Sequence, residues 1–338
     1  MKMNRMQLNI NEAKPGKPET RISDTKVKKA RGLLNKIMDN IETAIIGKRS
    51  VVELVVLALV SGGHVLIEDV PGVGKTSLVH ALAKSVSCGF KRIQFTPDIM
   101  PSDVTGFSIY NQKTGEFEFR PGAIMSNIVL ADEINRASAK TQSSLLEAME
   151  EQQVTVDSNT YILKQPFMVL ATQNPLESFG TYPLPEAQID RFLIKVSIGY
   201  PTLDEEMKVV AMDRNIKEYL RPVVTREDVL ALKEAAKQVY VSPMVIKYIV
   251  EIVTATRNHP DILLGSSPRG GIALYRLCCA YALYQGRSYV IPDDVKCLVP
   301  YTLCHRVILS HEAKTSKKTA AQIIASILNS ILVPMVRE

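Results

Sequence analysis

Apolar positions along the chain switch between two periods. From Val27 to Ile46 the residues Leu33, Leu34, Ile37, Ile41 and Ile45 recur at helical spacing, and Gly47 suits the position just past a helix end. The apolar stretch Val51–Val60 carries Glu53 and covers roughly half a membrane span, so it predicts a buried helix. Five short apolar runs follow: His64–Glu68, Phe90–Phe95, Ile128–Ala131, Phe167–Ala171 and Phe192–Val196. Helical patterns, notably Lys140–Glu151, separate them. Strands alternating with helices predict an α/β fold with a parallel five-stranded sheet wrapped by helices.

Two segments break this rhythm. Ser108–Phe119 alternates around a turn at Lys113–Gly115, and Val154–Leu163 does so around Asp157–Thr160. Both predict β-hairpins inserted into the α/β core. After Tyr200-Pro201 no convincing strand remains. Thr225 with Asp228, and Ser242 before Pro243, mark helix starts. Val245, Ile249, Ile252 and Val253 share one helical face, as do Leu274, Leu277, Cys278 and Tyr281. The division expected is a loosely docked tail over 1–26, a nucleotide-binding domain over 27–200 and an all-helical domain over 201–338.

Composition narrows the class. Of 338 residues, 46% are hydrophobic and 22% charged, values of a soluble globular chain long enough to bury its own core. The net charge of +6 is spread among acids, which makes nucleic acid an improbable partner. Met1–Thr20 lacks the apolar segment of a secretory leader, and no stretch predicts membrane insertion. The five cysteines contain no C-x-x-C and fit a reducing cytoplasm. Cys297, Cys304 and His305 invite a metal reading, but without a fourth ligand at zinc spacing they are expected to be helix-core side chains.

The chemistry concentrates after the first strand. Pro71, Gly72, Val73, Gly74, Lys75 and Thr76, with Ser77 next, lie between that strand and a helix. Glycines let backbone N–H groups approach phosphates, and the helix start adds partial positive charge. Lys75 suits the β- and γ-phosphates of ATP and Thr76 suits Mg²⁺. Asp69 stands where the strict pattern has glycine. Asp132 and Glu133 close another apolar strand at the edge where open α/β sheets hold ligands. Asp132 is the candidate Mg²⁺ ligand and Glu133 the candidate general base. Asn174, ending the fourth strand, suits either a turn or a group orienting water. Arg191 suits either a salt bridge or a finger reaching a neighbouring subunit's γ-phosphate. Arg269, at a helix start, suits either a nucleotide clamp or a surface charge.

These runs in this order resemble the AAA+ ATPases, and more narrowly the MoxR family, from about residue 28 onward. The residues that carry the likeness are EDVPGVGKT (68–76), QFTPD (94–98), PSDVTG (101–106), NIVLADEINR (127–136), KTQSSLLEAMEE (140–151), ATQNP (171–175), GTYPLPEAQIDRF (180–192) and GSSPR (265–269). The resemblance implies a Walker A pair at Lys75 and Thr76, a Walker B pair at Asp132 and Glu133, sensor 1 at Asn174, an arginine finger at Arg191 and sensor 2 at Arg269. It further implies a C-terminal helical lid, a ring that is usually hexameric, and hairpins facing a pore or client. Chaperone-like remodelling or maturation of protein clients, often beside a partner with a von Willebrand factor A domain, is the work implied. A metal-chelatase motor subunit is the neighbouring alternative; a nucleotide-gated scaffold with little turnover is the one from another class. The lid is expected to rotate about Tyr200-Pro201 as nucleotide changes.

Overall fold

The computed structural model of the chain describes residues 22–174, 181–211 and 220–334. The tail expected over 1–26 lies mostly outside these residues. Helix α1 (Asp24–Glu42) starts earlier than the periodicity predicted, because Ile22 and Val27 are already buried. Helix α2 (Arg49–Val60) buries residues around its whole circumference, which is why its sequence shows no polar face.

Strands β1 (Val65–Glu68), β2 (Phe90–Gln94), β5 (Ile128–Asp132), β8 (Met168–Gln173) and β9 (Ile194–Val196) form the sheet in the order β2-β5-β8-β1-β9. All its pairings are parallel. Val65 and Ile67, Ile128 and Leu130, Met168 and Leu170 face one apolar layer; Leu66, Val129, Ala131, Val169 and Ala171 face the other. Both faces are covered over β1, β5 and β8, so these central strands read as unbroken apolar runs, while edge strand β2 carries exposed Lys91 and Arg92. Helix α3 (Lys75–Ser85) lies on the first face and α5 (Ala139–Glu151) on the second.

The two hairpins are present. The short α4 (Pro101–Thr105) leads into β3 (Gly106–Asn111) paired with β4 (Glu116–Pro121), and β6 (Gln153–Val156) pairs with β7 (Asn159–Ile162). The second turn is tighter than expected: Asp157 and Ser158 both take positive φ, as a two-residue hairpin turn demands. Phe119 and Tyr161 stack with centroids 3.9 Å apart, joining the hairpins.

After α6 (Glu186–Ile189) and α7 (Leu203–Ala211) come α8 (Arg226–Lys237), α9 (Pro243–Arg257), α10 (Pro268–Tyr284), α11 (Pro292–Leu303), α12 (His311–Thr315) and α13 (Ala320–Ser330). The predicted caps hold: Thr225 forms a capping box with Asp228, and Ser242 and Ser267 accept first-turn N–H groups. The all-helical expectation needs one correction. Strands β10 (Ile262–Leu264) and β11 (Ile308–Leu309) form an antiparallel ladder, too short for an alternating pattern to be visible in sequence. The helical region also shares its core with the sheet layer. One buried cluster runs from α1 and α2 through the first face of the sheet to Leu274, Leu298 and Ile324. Cys278 and Cys279 are buried in α10, Cys304 is half-buried, and Cys297 is exposed on α11, contrary to the helix-core expectation, because it falls on that helix's outer face.

Candidate functional site

At the C-terminal edge of the sheet, β1 runs into the loop 69–74. Gly72 and Gly74 take φ of 87° and 89°, a region other residues enter at a cost, and no neighbour crowds their missing Cβ positions. Backbone conformation therefore selects glycine at both. Gly74 precedes α3, so the free N–H groups of the first turn, including those of Thr76 and Ser77, open toward the loop. Lys75 Nζ donates to the Asp69 carbonyl at 3.0 Å, which curls its side chain over the loop. The Asp69 carboxylate accepts from Val70 N (2.9 Å), Ile198 N (2.6 Å), Gly199 N (2.8 Å) and Ser197 Oγ (3.1 Å). A glycine there would leave those donors without a partner, which accounts for the departure from the strict pattern.

Asp132 ends β5 at the same edge. Its Oδ1 accepts from Thr172 Oγ1 at 2.6 Å, and the same hydroxyl accepts from Glu133 N at 2.8 Å. Its Oδ2 takes Arg92 Nη2 at 2.6 Å and Nε at 3.1 Å. Glu133 turns out of the strand with φ 56°, ψ 49°, a left-handed conformation unusual for a side-chain-bearing residue and often held at functional positions. Its Oε2 accepts from Gln94 Nε2 (2.8 Å) and Arg136 Nη1 (3.2 Å). Asn174 is buried just beyond the end of β8, between β5 and β1. Lys75, Thr76, Asp132, Glu133 and Asn174 thus meet at one edge. The hydroxyl of Thr76 and the carboxylate of Asp132 are the hard oxygen donors that Mg²⁺ takes. The Arg92 guanidinium pairs with the same carboxylate and offsets its charge in this structure.

The other two candidates lie at the opposite edge. His64, immediately before β1, bonds the Met149 carbonyl through Nε2 (3.1 Å) and accepts Val169 N at Nδ1 (3.0 Å), so the end of α5 is fixed beneath the sheet. Burial pushes the His64 pKa down to about 4. The next residue after Met149, Glu150, pairs with Arg191 Nε at 3.0 Å and also with Arg269. Arg191 precedes β9, which starts level with Val65 of β1. The length of β1, about 13 Å at 3.3 Å per residue, separates this arginine pair from its own phosphate loop. Neighbouring Asp190 is gripped by the helical region: Arg306 Nε donates to it at 2.8 Å and Ser267 Oγ at 2.7 Å. Arg306 Nη1 also reaches the Leu193 carbonyl at 3.1 Å. Burial lowers the Arg306 pKa to about 10 against the opposing pull of Asp190. His305 contacts the Phe192 carbonyl at 3.2 Å and is held well below its usual pKa by burial and by Arg306. Among the described residues, no group of three His, Cys, Asp or Glu side chains is arranged to hold a metal.

Comparison with known proteins bears on the family and the fold. The family model of ATPases associated with various cellular activities matches residues 64–194, and an AAA lid domain model matches 254–327. The Bacillus subtilis protein YeaC is 55% identical over 90% of this chain and 96% of its own. Chaperone MoxR1 of Mycobacterium tuberculosis is 39% identical over 90% of this chain and 83% of its own. The chain belongs to the MoxR family of AAA+ ATPases. A crystal structure of a Cytophaga hutchinsonii protein matches with a TM-score of 0.86 at 40% identity, covering 92% of this chain and 98% of that one. In this MoxR-family chain several polar contacts at the two edges carried no signal in the sequence. Thr172, Gln94, Arg136 and Glu150 sit in the quoted runs, yet spacing assigns them nothing. Arg92, Arg136 and Glu150 look like ordinary surface charges until the fold brings their partners to them. No described helix is long and apolar enough to cross a membrane.

Proposed function

We propose that this chain is the subunit of a ring, hexameric in the manner of its family, that hydrolyses ATP between subunits and uses the cycle to remodel or activate client proteins. The observation that carries this reading is the position of Arg191 and Arg269. They share Glu150 at the edge of the sheet remote from their own phosphate loop, so they complete a site only on a second copy. In that site the loop amides and Lys75 cradle the phosphates. Thr76 and Asp132 would hold Mg²⁺, which would supply positive charge against the phosphates. Glu133 accepts a proton from the attacking water, and Asn174 orients that water. A neighbour's Arg191 and Arg269 stabilise the charge that develops on the transferred phosphoryl. Catalysis on this account is mainly positioning and electrostatics.

The client-remodelling part rests on the chaperone name of the mycobacterial relative and on the exposed hairpin side chains Phe107, Tyr110, Phe117 and Ile162. Apolar surface of this kind suits transient contact with protein. A von Willebrand factor A domain protein is the family-type partner, and a cytoplasmic location accords with five unbridged cysteines. The test is steady-state turnover per subunit across a dilution series. It is expected to rise with protein concentration as rings form; equal turnover in monomer and assembly overturns the reading.

A further inference from the structure

Among the described residues, two apolar surfaces on opposite sides of the subunit remain uncovered. The first is α7, none of whose residues is buried. Leu203, Met207 and Val210 fall on one helical face, with Val210 77% exposed, and Glu206 and Asp204 flank that stripe on either side. The helix is rooted on the phosphate-loop face. Lys48 Nζ donates to the Tyr200 carbonyl at 2.9 Å and pairs with Glu205 at 3.7 Å, while Asp69 holds the preceding backbone at Ile198 and Gly199.

The second surface is a groove of about 1190 Å³ between α8, α9 and α10. Ile246, Val250 and Ile272 supply its apolar wall, with Ile272 52% exposed. Lys233, Arg257 and Arg276 stand on its margins; a further cation, Lys237, is answered by Glu234 at 2.6 Å. The groove opens directly beside the arginine edge, since Pro268 and Gln152 line it next to Arg269 and Glu150.

We propose that the groove receives α7 of a second copy of this chain. Three observations support that occupant. The sizes match, because a nine-residue helix roughly 10 Å across displaces roughly 1,000 Å³. The charges are complementary, since carboxylates flank the apolar stripe and cations rim the groove. The faces correspond, because a contact that brings Arg191 and Arg269 to a neighbour's phosphate loop also brings the groove to the neighbour's α7. The interface is head-to-tail: each subunit offers α7 on one side and the groove on the other. This inference rests on the ring reading above.

Sedimentation velocity of the full chain with ATP and Mg²⁺ tests it, using Val210→Asp and Ile272→Asp. Each alters an exposed side chain, so each is expected to melt at the wild-type temperature while losing about tenfold or more in assembly affinity. Mixed one to one, the two variants are expected to form dimers and stop there, because only one intact groove and one intact α7 remain per pair. Should either variant melt early, Leu203→Asp and Val250→Asp replace them. Assembly of either variant at wild-type concentrations, or variants that fail to pair when mixed, overturns the groove assignment while leaving the ring intact. A wild-type chain that stays monomeric at every concentration overturns the ring reading, and this one with it.

Discussion

The two edges of the central sheet both pair cations with carboxylates, but they draw them from different parts of the chain. At the C-terminal edge the site is built from contiguous sequence: a loop and the helix it starts, then two acids closing one strand. At the N-terminal edge Glu150, Arg191 and Arg269 come from α5, the approach to β9 and the start of α10. The first edge takes its loop conformation from Gly72 and Gly74 and is pinned within the sheet domain, Asp69 on the backbone at Ile198 and Gly199 and Asp132 on Thr172. The second depends on the helical region, which grips Asp190 through Arg306 and Ser267. The edge that binds the nucleotide is built within the sheet domain alone. An edge that serves a neighbour is assembled from both parts of the chain, and its arginines move only as those parts move together.

The sharpest test of this contrast mixes two inactive chains. Arg191→Ala is expected to lower turnover about 10³-fold or more, and Glu133→Gln by about 10²–10⁴-fold with ATP binding retained. Combined, they should regain activity, because a mixed ring contains sites where an intact Glu133 faces an intact Arg191. A mixture as inactive as its components places both groups in the same subunit's site and breaks the comparison.

Arg306→Ala probes the grip on the second edge. It leaves Asp190 half-buried without its guanidinium, at a cost of about 3–5 kcal/mol measured by denaturant unfolding. The same variant should lose turnover while nucleotide binding at the first edge survives; turnover equal to wild type would falsify the link between the helical region and Arg191.

The smallest effect concerns His64. Its folded pKa of about 4 lies below the usual 6.5, so the unfolded chain binds the extra proton between those values. Stability is fully present above pH 6.5 and falls as pH drops toward 4, by about 2 kcal/mol at pH 5 from this residue. His64→Gln should flatten that slope in melts at pH 7 and pH 5. Part of the slope should persist, because burial shifts His305 in the same direction.

The edges also differ in how far they could be read in advance. The phosphate loop was legible because Gly72, Gly74 and the helix behind them express their roles within a few residues. The sheet was legible because its central strands β1, β5 and β8 are covered on both faces, which makes them conspicuous. Arg191 was legible only as one of two roles, since its partner Glu150 sits among the other acids of α5 and the contact with Arg269 spans 119 residues. The β10–β11 ladder escaped because two or three residues cannot show a period. Asp69 was visible only as a deviation; the donors that require it come from the far side of the domain.

That aspartate has a consequence for signalling. One carboxylate ties the loop that meets the triphosphate to the three residues leading toward α7. Loop and helix root therefore form one mechanical part, and a shift in either is felt by the other. Coupling of this kind is reciprocal: whatever grip the nucleotide gains by setting the helix root, a ligand that sets the root returns to the nucleotide.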